Sequence, residues 1–195
     1  MVRVCERSSP TATRVQSFFT SPNNNPMDVS HSPDYKTELQ VLVEHLHPKR
    51  LLCIGPEEPV LTPYADAAPD RELVGIEGAN PLDALSGLGT FDFTYVSGTV
   101  EFMEKDRAMV LLSRLRDLSS RYLALLVSIG EGAGQISTWT SSDLLALGMV
   151  CRGSYHCQGR PLHLYTFDLA TYKFTPDWFN PKHWAHPERW DKDWW

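Results

Sequence analysis

What this chain has little of narrows its function before any motif is read. Basic residues do not predominate: 18 Lys and Arg stand against 24 Asp and Glu, giving a formal net charge of −6 and a pI near 5.6. Such a balance cannot neutralise a long run of phosphates, so general nucleic-acid or anionic-membrane binding is not expected, and only a small local basic patch remains open. No apolar run approaches the length of a membrane span, and the first thirty residues lack the continuous apolar stretch of a secretory signal. Cysteine is sparse: Cys5, Cys53, Cys151 and Cys157 are irregularly spaced. Cys53 lies in an apolar run, where a reduced, buried thiol is the ordinary state, so a cytoplasmic protein is expected. Around His156, Cys157 and His163 there is no close Cys-x-x-Cys or His-x3-His spacing, and no metal site is expected. A nucleophile-elbow sequence is also missing, and Asp143 and Asp168 read as capping or surface acids, so nothing points to a hydrolase.

With 195 residues, 42% of them hydrophobic, the chain can bury one sizeable core but not two, which suggests one domain with decorated ends. Residues 1–30 form the first such end. They are rich in Ser, Thr, Asn and Pro, including Ser21-Pro22-Asn23-Asn24-Asn25-Pro26, and follow neither a strand nor a helix period, so loose order is expected. Arg3, Arg7 and Arg14 would fit a targeting peptide instead, and Met27 stands just before the first helix signal as a second candidate start.

From residue 31 to 172 helix and strand patterns alternate. Ser32-Pro33-Asp34 opens a helix whose Leu39, Leu42, Val43 and Leu46 share one face, until Pro48 ends it. The runs 51–55, 73–77, 91–97 and 122–129 read as mainly parallel strands, short and apolar as in strands buried on both faces. Between the last two, Ala108, Leu111, Leu112, Leu115 and Leu118 predict a helical stripe, with Arg107, Arg114 and Arg116 available to water. Thr140 and Asp143 predict a capping box, Trp139 and Leu144 a hydrophobic staple, and Gly148 the end of that helix. Segments 149–157 and 163–169, joined by Gln158-Gly159-Arg160-Pro161, predict a terminal antiparallel hairpin. The fold class is therefore α/β: a mainly parallel sheet with helices on both faces, whose ligand crevice lies at the strand C-termini.

At this level the chain resembles the class I S-adenosylmethionine-dependent methyltransferases. Leu51-Leu52-Cys53-Ile54-Gly55 is similar to their first motif strand, and Val74-Gly75-Ile76-Glu77 to their second with its terminal acid. Phe91-Asp92-Phe93-Thr94-Tyr95-Val96-Ser97, followed by Val100-Glu101-Phe102 and the Leu-rich helix, is similar to their fourth strand and the helix after it. The resemblance spans roughly residues 33–170 and implies a reduced Rossmann-like methyltransferase fold. It places a cofactor site at Gly55, Glu77, Gly78, Ser97 and Gly98, with Glu77 positioned to accept hydrogen bonds from both ribose hydroxyls. A solvated strand-end acid accounts equally for Glu77, and a plain strand exit for Ser97 and Gly98. The ending Thr175-Pro176-Asp177-Trp178 with Trp184-Ala185-His186-Pro187-Glu188-Arg189-Trp190 resembles that of a small bacterial family of methyltransferase-like proteins without established chemistry.

Three departures from the family's pattern oppose the cofactor. Only Gly55 remains of a loop that normally needs several glycines, and Pro56-Glu57-Glu58-Pro59 follows it, removing amide donors and adding two acids where a ligand carboxylate would approach. The same features disfavour a dinucleotide. Between Glu77 and Phe91 thirteen residues replace the family's helix, third strand and adenine wall. S-adenosylmethionine is thus expected to bind weakly or not at all. Two functions stay open: a non-catalytic binding or scaffold module, or a methyltransferase acting on a small substrate, for which no catalytic base can be named.

The last segment, 173–195, holds Trp178, Trp184, Trp190, Trp194 and Trp195, five of the six tryptophans. Rings of this size seldom stay in water without a role. Either they present a platform to a partner, for example a protein, or the tail folds back and replaces core lost with the missing third strand, in which case Trp178, Trp184 and Trp190 are buried.

Overall fold

In a computed structural model of the chain, the structure describes residues 6–7, 34–78, 80–157 and 160–171, together with Lys182, His186, Glu188 and Lys192. The tryptophans of the tail lie outside the described residues, as does most of the segment 1–30. Glu6–Arg7 (β1) pair antiparallel with the strand that contains Tyr155 and His156.

The alternating apolar runs become a sheet because each strand has a covering helix on one side or the other. Helix α1 (Tyr35–Leu46) buries Leu39 and Val43 and stops where His47 turns left-handed, with φ 47°, ahead of Pro48. There follow β2 (Arg50–Ile54), α2 (Leu61–Asp66), β3 (Glu72–Ile76), a single helical turn α3 (Pro81–Ala84) and β4 (Phe91–Ser97). After a 3-10 turn at Val100–Phe102 come α4 (Lys105–Arg114), β5 (Ser120–Ser128), α5 (Ser141–Ala146), β6 (Val150–Cys157) and β7 (Arg160–Asp168). The strand order is β1-β6-β7-β5-β4-β2-β3. From β3 to β5 the pairs are parallel, and Leu51 stands between Leu73 and Phe93. The β6–β7 hairpin then adds antiparallel through β7 to β5.

The two-residue strand period sorts the core into two layers. Leu51, Cys53, Phe93, Tyr95, Ala124 and Leu126 face α1 and α2, whereas Leu52, Ile54, Leu123, Leu125 and Val127 face α4 and α5. This is the α/β, Rossmann-like arrangement implied by the sequence, with helices on both faces and a terminal antiparallel hairpin. Among the described residues between Gly78 and Thr90 there is one turn of helix and no strand, so β3 is the edge of the sheet. No helix among the described residues is long and apolar enough to cross a membrane.

Some local expectations need correction. The helical stripe does not run on to Leu118, which is 69% exposed, because α4 passes into a π turn at Leu115–Ser119 that rotates the following residue away from the core. Arg107 is exposed, but Arg114 and Arg116 are half-buried, donating to the carbonyls of Leu82 and Leu147. Helix α2, which no strong period announces, covers the α1 face beside β3. At α5 the capping box forms as expected: the Asp143 amide donates to the Thr140 hydroxyl at 3.3 Å, and the Thr140 amide donates to the Asp143 carboxylate at 2.8 Å. Trp139 and Leu144 are both fully buried in one cluster.

Candidate functional site

The strand order reverses at β2, with β3 on one side and β4 on the other, and in open α/β sheets a ligand crevice forms outside the strand C-termini at such a point. Gly55 and Glu77 stand one residue beyond the ends of β2 and β3 there. They share a cavity of about 440 Å³, whose remaining walls come from the Glu57-Glu58 turn, from α2 and from Leu73 and Gly75 of β3. Gly78, with φ 108°, faces open space, and neither it nor Ser97 nor Gly98 lines this cavity.

Ser97 and Gly98 instead meet the loop itself. Gly55 adopts φ 108°, and a Cβ placed there would lie 2.0 Å from the Ser97 carbonyl oxygen and 2.7 Å from Thr99 Oγ1. Its amide is already used, donating to the Ile76 carbonyl at 2.9 Å. The Thr99 hydroxyl donates to the Ser97 carbonyl at 2.9 Å and reaches the Ile54 carbonyl at 3.4 Å. Pro56 covers Gly98, where a Cβ would come within 3.4 Å of the proline ring. The need for glycine at 55 therefore comes from close packing of the ends of β2 and β4. On the β4 side of the switch point the chain packs directly against Gly55, leaving no room for a side chain there.

The two acids after Pro56 part company. Glu57 is exposed and accepts a hydrogen bond from the Thr62 hydroxyl at 2.8 Å. Glu58 turns inward and is 5% exposed; Tyr95 donates to its Oε2 at 3.2 Å, while Oε1 makes no hydrogen bond. Burial pushes the Glu58 carboxyl above the usual range, against the opposing influence of the Lys36 charge and the Tyr95 hydrogen bond. Burial likewise lifts the Cys53 thiol in the cavity wall to about 11, leaving it protonated and inert at neutral pH. The Tyr95 hydroxyl, wholly enclosed, is held well above its ordinary range by burial and by the Glu58 charge. At the far end Arg71 donates to the Tyr64 carbonyl at 2.7 Å and lies over the Tyr64 ring, 3.9 Å from its centre.

The remaining polar candidates do not join this site. Cys151 and His156 are exposed on β6, His163 pairs with Ser154 at 2.9 Å on the hairpin, and the Cys157 side chain lies outside the described residues. Asp143 caps α5 and pairs with Lys105 at 2.7 Å, and Asp168 accepts from the Ala170 amide. Sequence reasoning missed the inward turn of Glu58 and the part of Thr99. Only Pro56 and Gly98, a ring and a glycine at the two strand exits, hinted at the packing between them.

A family pattern matches residues 33–195. The chain belongs to DUF6231, a family of unknown function. No curated protein matches it by sequence. Two solved structures share the fold of this DUF6231 member. One is the N-terminal domain of EvdMO1 in the presence of SAH and D-fucose: TM-score 0.52, 11% identity, 68% of this chain and 82% of that one covered. The other is magnesium protoporphyrin IX methyltransferase (ChlM) from Synechocystis PCC 6803 with bound SAH: TM-score 0.51, 12% identity, 68% and 80% covered. At these identities the likeness is one of fold, and the fold is methyltransferase-like.

Proposed function

We propose that this DUF6231 member is a methyltransferase-like binding module that has lost methyl transfer. The observation that carries the reading is the contact of Gly55 with Ser97 and Thr99. A cofactor loop needs free backbone and free amides beside the methionine part of S-adenosylmethionine, but here the one glycine is engaged by β4 and its amide by β3. Pro56 supplies no amide hydrogen, and the exposed Glu57 places a carboxylate at the entrance. The residues present do not fit the cofactor. Conserving the scaffold while the loop changes is consistent with a binding or scaffold role, since a fold does not fix its chemistry. The aromatic segment 173–195 would then serve either as a cover for the domain or as the surface offered to a protein partner.

A second reading keeps the enzyme. Glu77 shares a cavity with Gly55, which is where a ribose-binding acid would stand, and a weakly held S-adenosylmethionine could still present its methyl group to a small acceptor. Crystals soaked with S-adenosylhomocysteine at millimolar concentration separate the two readings. The binding-module reading expects no nucleoside density beside Gly55 and Glu77; an ordered ribose on Glu77 would restore the enzyme.

A further inference from the structure

The two edges of the sheet end differently. At one, β6 is covered by the antiparallel pair Glu6–Arg7; at the other, β3 has no outer neighbour among the described residues. Its backbone is set for one. In the parallel pair with β2 the Glu72 amide donates to the Lys49 carbonyl, and the Ile76 carbonyl accepts the Gly55 amide. The even-numbered residues thus turn their peptide groups inward, and those of Leu73 and Gly75 point away from the sheet. Such a row is a template for another strand. Devices that blunt an edge are missing from Glu72–Ile76: it has no proline, no lysine and no bulge against β2. Its one charged side chain, Glu72, is tied to Arg50 at 2.8 Å.

This edge is complementary to itself. Turned about a twofold axis at Val74, an antiparallel copy of β3 brings Leu73 opposite Gly75 and Arg71 opposite Glu77, once on each side of the axis. Leu73 then meets an exposed glycine, where an added Cβ would have nothing within 4 Å. Val74 meets its own copy as a β-branched pair across the axis. Arg71 and Glu77 carry opposite charges and lie on one face of β3, both in the wall of the cavity between α2 and β3. One Arg71 nitrogen donates to the Tyr64 carbonyl, and the guanidinium has further N–H groups to offer. Slipping the register by two residues loses both ion pairs, setting Glu77 against Leu73 one way and Arg71 against Gly75 the other.

We propose that β3 is a dimerisation edge: two copies of this chain pair antiparallel through Leu73 and Gly75, with Arg71 of each on Glu77 of the other. The contact joins two sheets into one and, being short, makes a weak dimer. It needs no assumption about the crevice, so it stands apart from the binding-module reading.

Sedimentation equilibrium of the full chain between about 5 and 500 μM should show monomer and dimer exchanging with a Kd on the order of 100 μM. Three variants locate the interface, circular dichroism first establishing that each is folded. Gly75→Pro removes an outward amide that β2 does not use, and should weaken the dimer at least about tenfold. Glu77→Arg and Arg71→Glu each set like charges opposite one another and should do the same. Mixed in equal amounts, these two restore opposite charges and should associate at least about tenfold more tightly than either alone. If Arg71→Glu does not fold, Gly75→Pro and Glu77→Arg decide. A chain that stays monomeric at about 500 μM overturns the proposal, including the case in which its own segment 173–195 covers the edge. So does a dimer that Gly75→Pro and Glu77→Arg leave as tight as before, or a mixture no tighter than its parts.

Discussion

The absence of a side chain at Gly55 lets the ends of β2 and β4 close on each other. Gly55→Ala would force a Cβ to within 2.0 Å of a backbone oxygen at φ 108°, and the expected loss of stability is about 2–4 kcal/mol. Urea unfolding measures it; an unchanged midpoint would mean that the strand ends do not meet as described. Glu101 is a second residue whose environment can be tested. It is 4% exposed, its Oε1 accepts the Ser128 amide at 3.0 Å, and Oε2 has no partner. Burial raises its pKa above the ordinary glutamate range, with hydrogen bonds to the carboxylate opposing. The folded chain then holds this proton more tightly than the unfolded chain. The corresponding stability is present at acid pH and is lost as pH rises through the raised folded value. Glu101→Gln removes that loss, so its melting temperature relative to the parent should climb as pH rises from the ordinary glutamate range through the raised folded value. A difference independent of pH would contradict a buried, proton-holding carboxyl.

Elements whose signals are local were legible in the sequence. The capping box at α5 needs only Thr140 and Asp143 three residues apart, and Thr140→Ala should cost about 1 kcal/mol in thermal unfolding. An unaltered melting temperature would show that the Lys105 pair alone holds Asp143. The buried parallel strands were equally plain, since Leu51–Ile54 and Tyr122–Val127 are apolar on both faces. What depends on distant packing was not legible. Leu118 continues the helical period of α4, and only the π turn before β5 removes it from the core. Helix α2 carries Pro63 and just two buried residues, Leu61 and Ala65, too little pattern to announce itself. The cavity exists because α2 lies over β3, and Glu58 turns inward because Tyr95, thirty-seven positions away, offers a hydroxyl. Gly55 and Glu77 could be paired from strand ends alone, but the contacts of Ser97 and Gly98 with the loop could not.

Across the whole molecule, shortening one crossover changes both the sheet edge and the ligand site. With thirteen residues between Glu77 and Phe91, β3 has no outer strand among those described, and α3 with its turns makes the whole crossover apart from Ala79. The aromatic tail is a candidate replacement for the lost surface. If it packs on the domain, deletion after Tyr172 should lower stability by several kcal/mol, since burying one large aromatic contributes on the order of 2–3 kcal/mol. Equal melting temperatures of the truncated and full chains would make the tail a free arm for a partner. The central claim, that this scaffold no longer holds its methyl donor, is tested most directly by calorimetric titration of the full chain with S-adenosylmethionine and S-adenosylhomocysteine. A blocked glycine, an acid at the entrance and the short β3–β4 crossover together amounting to roughly 4 kcal/mol would turn a micromolar ligand into about a millimolar one. No measurable heat below about 1 mM is therefore expected; a micromolar dissociation constant abolished by Glu77→Ala would contradict it.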